Sequence, residues 1–448
     1  MPENTKSNNN VTSLPGTNSA LSGGGFVRAV NDWLMERALD DTDIDAIVEG
    51  MVSRLVAAGI PIERVMVGFK TLHPLYEGVS YIWSKDEGRV ERSLHLDVRE
   101  KNPDWLDSPM KWMSDNDVTF MRRHLIGPGA ILDFNVLQTF RKSGGTDYLA
   151  LMTPFTTDRD STLGTNRIFM TYMTRRPSGF TDEDLAILSS IQRRFAVSCK
   201  MRIMHEETKT ILETYLGSDA GHRVRDGQIK LGDSTKTRAV IWFSDMRNST
   251  SVAASVGDDA FLGEMNDFFA ATAGAVLKHG GQVLRYIGDA TLAIFPIRED
   301  EQDLEQACTA AVYAAAEAQL NIDQLNRQRE ETGLPAFDYG LGMHVGDVIY
   351  GNVGVPDRVD FTVIGQAANE AARIEQLTKQ LGKRVLVSHQ VAKFISCPTE
   401  EMGAFELHGT GLSLKLFAPD FTEACERIQL MQAGGSRLAI IRPYCRNP

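Results

Sequence analysis

Apolar residues run without alternation from Val240 to Phe243 and stop at the polar pair Ser244-Asp245. A run of that kind predicts a strand buried on both faces. Phe261, Met265, Phe268, Phe269, Thr272 and Val276 then recur at helical spacing, and Gly280-Gly281 marks the end of that helix. Val283 to Ile287 reads as a second strand, Gly288-Asp289 as a tight turn, and Leu292 to Phe295 as the return strand of a hairpin. Strand, helix and hairpin can bring Asp245 and Asp289 to one edge of a sheet. Glu301 to Arg329 follows as an Ala-rich packing helix. Phe337 to Val345 predicts a strand, Gly346-Asp347 a turn and Val348 to Gly351 its return, with Asp347 read as a turn residue. Then come a strand from Val359 to Ile364, a helix from Gln366 to Leu381 and a short strand from Arg384 to Ser388. Phe405 to Leu407 and Leu414 to Phe417 read as paired strands. Beyond Pro419 the pattern leaves one weak helix, Phe421 to Met431, in a tail that frays.

The first half of the chain has a different rhythm. Residues 1 to 26 are rich in Asn, Ser, Thr and Gly and predict disorder. Ile44, Ile47, Val48, Met51, Val52 and Leu55 form an amphipathic stripe stopped by Gly59 and Pro61. Arg64 to Thr71, Gly78 to Trp83 and Ser93 to Val98 read as strands. A helix-poor middle holds Trp105, Trp112 and a helix from Asp115 to Leu125. Asp147 to Thr153 and Arg167 to Met173 read as two more strands. Thr181 and Asp184 make a capping-box pattern before a long helix whose stripe is Leu188, Ile191, Phe195, Cys199 and Ile203. Past Ile203 the segment His205 to Lys209 is polar, and the stripe there suits a parallel helix pair in a dimer. Gly221 to Gly232 is a basic, Gly-punctuated hinge.

Composition narrows the chemistry. A length of 448 residues predicts two domains. Forty-seven basic against 59 acidic residues, a net charge of −12, argue against nucleic-acid binding. Any nucleotide site must rely on local cations and metal. The five cysteines, Cys199, Cys308, Cys397, Cys425 and Cys445, show no C-x-x-C spacing and read as reduced thiols of a cytoplasmic protein. No apolar run approaches the roughly 18 residues of a membrane span, and no signal-peptide core opens the chain.

Three segments in register carry a family resemblance. FSDMRNST from Phe243, the IGD hairpin ending at Asp289, and YGLGMHVGDVIYGNVG…DFTVIGQAANEAAR from Tyr339 to Arg373 resemble the class III nucleotidyl cyclases, over residues 236 to 418. Residues 27 to 200 resemble a GAF-type sensor in layout and in the Gly179-Phe180-Thr181 approach to the long helix, and not in a ligand motif. A folded spacer or dimerisation module is the plainer reading of that part. The resemblances imply an α+β chain. A GAF-like α/β sensor domain over 27–200 joins through a helical linker over 201–235 to a ferredoxin-like (βαββαβ) cyclase domain over 236–418. A disordered segment, 1–26, precedes them and a tail, 419–448, follows.

The resemblance also assigns roles. Asp245 and Asp289, with the Met246 carbonyl, would hold two Mg²⁺ or Mn²⁺ ions for in-line displacement at phosphorus. Asn369 would orient the ribose and Arg373 would stabilise the transition state, its planar fork matching phosphate oxygens. Their spacing of four puts both on one helix face, where residues alone would read as ordinary surface. Arg285 and Thr362 would select the base. Phe243 is grouped with the substrate-binding residues, although its apolar run also makes it a core candidate. Many adenylyl cyclases have Lys and Asp at the positions of Arg285 and Thr362, and guanylyl cyclases Glu and Cys. Thr resembles a bacterial and soluble, often bicarbonate-responsive, subgroup that uses ATP. A terminal Lys common among relatives is missing from Leu407-His408-Gly409-Thr410, with Lys415 displaced, which leaves the triphosphate to metal and to N–H groups near Gly257. The family site straddles a dimer, and all six side chains it draws from two chains, Asp245, Asp289, Arg285, Thr362, Asn369 and Arg373, are present, so a homodimer could carry two complete sites. ATP is the expected substrate and cyclic AMP the product. GTP turnover and a catalytically silent scaffold are the alternatives, and the sensor would take a small-molecule ligand.

Overall fold

The computed structural model describes residues 24–96, 102–155, 166–298, 301–406 and 413–433, and the chain divides into two compact units, Met1–Ile211 and Leu212–Pro448. Expectations placed on residues 1–23, on Leu407 to Thr410 and on the end of the tail lie outside the described residues.

In the first unit, α1 (Gly24–Leu39) and α2 (Ile44–Ala57) precede the strands β1 (Arg64–Lys70), β2 (Tyr76–Ser84) and β3 (Arg89–Leu96). Next come α3 (Pro103–Leu106), α4 (Pro109–Asp115), β4 (Phe120–His124), α5 (Asn135–Lys142), β5 (Asp147–Pro154), β6 (Arg167–Thr174) and α6 (Asp182–Leu216). The strands form one six-stranded sheet in the order β3-β2-β1-β6-β5-β4. The α6 stripe, Leu188 through Ile203, is buried with the α2 stripe in one core. The capping box is formed reciprocally, Asp184 N–H donating to Thr181 Oγ1 at 3.2 Å and Thr181 N–H to Asp184 Oδ2 at 2.7 Å.

Gly24 to Phe26, expected within the disordered segment, belong to α1, which the buried Val30 and Leu34 hold on the core. The helix expected from Asp115 to Leu125 is absent. The chain leaves α4 at Asp115, turns through Asp117 at φ 54° and enters β4, whose Phe120 and Met121 are buried. A left-handed residue ends a helix, and cross-strand pairing with β5 then outweighs the local helical pattern.

The second unit contains α7 (Ser218–Arg225), β7 (Ser234–Arg247), α8 (Ser249–Val256), α9 (Asp258–Lys278), β8 (Gln282–Ile287), β9 (Ala290–Ile297) and α10 (Glu301–Glu331). It continues with β10 (Asp338–Val355), β11 (Arg358–Ile364), α11 (Gln366–Gln380), β12 (Val385–Ser388), α12 (His389–Ala392), β13 (Thr399–Glu406), β14 (Ser413–Pro419) and α13 (Thr422–Ala433). The sheet order is β13-β14-β12-β10-β7-β9-β8, with β11 paired to β10. β7 is covered on both faces, which is why its apolar run does not alternate. Val240 and Trp242 enter a core with Phe268, Ala311 and Ala315, while Ala239 and Ile241 pack with Ala220, Ala367 and Ala371. Burying Trp242 completely stabilises the unit by about 2–3 kcal/mol on transfer grounds.

The turn expected at Gly346-Asp347 does not exist. β10 runs straight through it and pairs with β7 from Asp338↔Arg247 to Gly351↔Ser234. Asp347 instead meets Lys236 at 2.7 Å. Gly346 serves close packing, since a Cβ there would overlap the Cβ of Ala367. The tail helix α13 is also better held than expected, because Phe421, Ala424 and Ile428 are buried in the main core of this unit.

Gly340, Gly342 and Gly346 lie on one face of β10 by strand alternation. α11 rests directly on that bare strip. A Cβ on Gly342 would overlap the Ala371 carbonyl oxygen, and one on Gly340 would overlap a carboxylate oxygen of Glu375. Between them His344 Nε2 meets Glu370 Oε2 at 2.9 Å, and burial holds the imidazole below its ordinary pKa. Gly342→Ala is therefore expected to cost about 1–3 kcal/mol, as overpacking against backbone does. Urea unfolding would measure it, beside Gly274→Ala on α9, where an added Cβ meets nothing within 4 Å and no loss is expected.

Candidate active site

The site begins where β7 ends. Asp245 pairs in register with Gly340 of β10 on one side and with Ala290 of β9 on the other. Ala290 is the first residue after the Gly288-Asp289 turn, where Gly288 takes φ 63°. The turn is tied down by Met246 N–H donating to the Asp289 carbonyl at 3.4 Å. Sheet register thus brings two carboxylates 44 positions apart in sequence to one edge. Asp245 is half-buried, and its pKa rises to about 6, first through burial and then through the charge of Asp289, against a backbone hydrogen bond from Met246.

A third carboxylate belongs to this neighbourhood and was missed in the sequence. Glu375, on the α11 face that lies against β10, is pushed up to about 7 by burial and then by Asp245, with Asp289 adding to it and Arg247 opposing. The missed signal was the spacing of Gly340, Gly342 and Gly346 against Ala367, Ala371 and Glu375. It matches a smooth strand face to one helix stripe.

The other expected residues are placed as follows. Phe243 is half-buried on β7 opposite Gly342 and packs at the edge of the core shared with Ile241. Met246 has its side chain buried in the opposite core, leaving its backbone at the site. Arg285 on β8 is exposed and forms an ion pair with Asp360 of β11. Thr362 lies two residues further along that strand, paired with Gly351. Asn369 and Arg373 share the exposed side of α11, and Arg373 Nη1 donates to Gln376 Oε1 at 3.0 Å. The single chain therefore brings Asp289 beside Asp245 and ties Arg285 to the strand that carries Thr362. It does not bring Arg373 into an ion pair with either aspartate. Lys415 meets Glu401 at 3.1 Å, and Gly257 caps α9 at φ 82°.

The donor set fits a hard divalent cation. Asp245 feels the charge of Asp289, and among the described residues neither carboxylate has a Lys or Arg ion pair. A carboxylate whose folded pKa is raised stabilises the fold at low pH and loses that contribution as pH rises through the folded value, here about 6 for Asp245. A cation between the two reverses that sign. Among the described residues no three His, Cys, Asp or Glu side chains form a complete cage. A divalent ion held there would have to complete its shell with water or substrate oxygens.

Residues 233–417 match the family model described as the adenylate and guanylate cyclase catalytic domain. This segment is an adenylyl/guanylyl cyclase catalytic domain. It is 36% identical over 170 residues to an adenylate cyclase of Anabaena cylindrica, covering 38% of this chain and 33% of that protein. It is 30% identical over 173 residues to the terminal-differentiation-specific adenylate cyclase of Dictyostelium discoideum, covering 39% of this chain and 8% of that one. The chain thus spans a third or less of the length of these two relatives. Among solved structures, the adenylyl cyclase CyaB of P. aeruginosa aligns at a TM-score of 0.38 and 21% identity, over 42% of this chain and 95% of that one. No helix among the described residues is long and apolar enough to cross a membrane.

Proposed function

We propose that the chain is a Thr-type, class IIIb-like adenylate cyclase that converts ATP to 3′,5′-cyclic AMP and diphosphate at a homodimer interface. The observation that carries this reading is the meeting of Asp245 and Asp289 at one sheet edge, where the charge of Asp289 helps to raise Asp245. The β7-α9-β8-β9-α10-β10 run supports a ferredoxin-like arrangement.

Two divalent ions held by Asp245, Asp289 and the Met246 carbonyl would supply charge neutralisation at the triphosphate and favour ionisation of the ribose 3′-hydroxyl. That oxygen bonds to the α-phosphorus, the bond from the α-phosphorus to the bridging oxygen breaks, diphosphate leaves, and the hydroxyl proton passes to solvent. Arg373 of a second copy, exposed on α11 here, would face the phosphorus as charge develops, and Asn369 would orient the ribose. Apolar side chains left exposed in the single chain support such pairing. Ile349 and Ile364 sit opposite each other on β10 and β11, and Val353, Val359 and Ile287 lie on the same strands and on β8.

Base choice rests on Arg285 and Thr362, with Phe243 beside the substrate. The guanidinium donates and the hydroxyl does both, so ATP is read from the resemblance of Thr362 and GTP stays as the second reading. The first unit, with helices, strands and a long exit helix, acts as a GAF-like regulatory domain in a cytoplasmic protein. Purified full-length protein given ATP or GTP with Mn²⁺, its products separated chromatographically, tests this. Cyclic AMP as the dominant product is expected. Dominant cyclic GMP would transfer the assignment to guanylate cyclase, and no turnover of either would leave a scaffold.

A further inference from the structure

Glu375 is 8% exposed, and among the described residues no donor or ion-pair partner meets its carboxylate, whose oxygens are not among the fully sealed atoms and so stay within reach of solvent. Only its backbone is engaged, the carbonyl accepting from Thr378 Oγ1 at 2.5 Å. A carboxylate so nearly enclosed is costly to charge unless donors from outside the chain, water included, complete it. Its position says which. One carboxylate oxygen occupies the place a Cβ on Gly340 would take, and Gly340 is the register partner of Asp245. Asp245 also shares the strand face of Ile241, which packs on Ala367 and Ala371 of α11. The nearby Arg247 offsets part of the Glu375 charge through space but makes no hydrogen bond to the carboxylate, being tied to Asp338 at 3.1 Å, Thr378 Oγ1 at 3.0 Å and the Lys383 carbonyl at 2.8 Å.

We propose that Glu375 is a positioning residue of the cation centre, its carboxylate accepting hydrogen bonds from water on an ion carried by Asp245 and Asp289. The contact is assigned to water and not to the ion, because among the described residues no three His, Cys, Asp or Glu side chains converge as a metal-holding group. Divalent ions of this kind retain waters, and the groups that orient those waters tune affinity. The inference rests on the reading of Asp245 and Asp289 as the ion's ligands.

The test is Mn²⁺ binding to the full-length protein without nucleotide, followed by the electron paramagnetic resonance signal of free Mn²⁺. Glu375→Gln is expected to weaken binding by about tenfold or more, Glu375→Asp to recover part of it, and Asp245→Ala to remove it. At pH 8 the metal-free melting temperature of Glu375→Gln should be no lower than wild type, since one of three mutually repelling charges is gone. Its rise on adding Mn²⁺ should be smaller. A Glu375→Gln protein that binds Mn²⁺ within twofold of wild type, or that melts lower without metal and binds normally, overturns the proposal and leaves a packing role. If Glu375→Gln does not fold, Glu375→Asp carries the same comparison, and unchanged binding there overturns it. Wild-type binding that survives in Asp245→Ala defeats the underlying ligand reading instead, and the proposal with it.

Discussion

Asp245→Ala, and separately Asp289→Ala, should reduce cyclase turnover by on the order of 10³-fold or more, because the proposed metal site would supply several kcal/mol and each 1.4 kcal/mol is tenfold in rate. Fold and self-association should survive. Asp245 is half-buried at a strand end, and its charge opposes the sheet edge it sits on. Alanine there removes a repulsion with Asp289, so the metal-free protein should melt no lower than wild type. The measurement is turnover of the nucleotide that wild type uses, with Mn²⁺ at saturating concentration, beside circular dichroism and sedimentation. Either variant turning over at the wild-type rate would mean that the two carboxylates are not the ligands.

Arg373→Ala should lower turnover by about 10²–10³-fold, the range for losing one preorganised transition-state donor. The more telling result is complementation. Each single-variant homodimer lacks the same part of both its sites. A mixed dimer of Asp245→Ala with Arg373→Ala has one site with both defects and one with neither. Random exchange makes half the dimers mixed, so about a quarter of wild-type turnover is expected from an isologous pair. Co-expression with two affinity tags would isolate the mixed species. The geometry gives the reason to expect recovery. Arg373 sits on the exposed side of α11, where among the described residues it bonds to Gln376, while the opposite side of that helix, through Glu375, lies toward Asp245 of the same chain. A confirmed mixed dimer without activity would confine the site to one protomer.

The apolar run before Asp245, the hairpin around Asp289 and the helix carrying Asn369 and Arg373 were readable from residue order alone. Each depends on contacts within a few positions, and a strand buried on both faces or a Gly-Asp turn needs nothing distant to declare itself. The same locality explains the errors. Gly346-Asp347 has turn chemistry, yet the pairing of β10 with β7 along its length, and the seating of α11 on the glycine strip, hold the strand straight. Asp115 to Leu125 has helical spacing, yet β5 pairs with its second half.

What sequence determined by itself is the inventory: two acidic strand-end residues, a helix face carrying Asn369 and Arg373, and the order of strands and helices between them. Tertiary structure alone decided which of these meet. The register of β9 on β7 set Asp289 beside Asp245, and the bare face of β10 let α11 bring Glu375 to the same place. Ion pairing turned Arg285 toward Asp360. Charge repulsion and desolvation act through space, so the raised carboxylates at this edge exist only once the sheet has closed the distance.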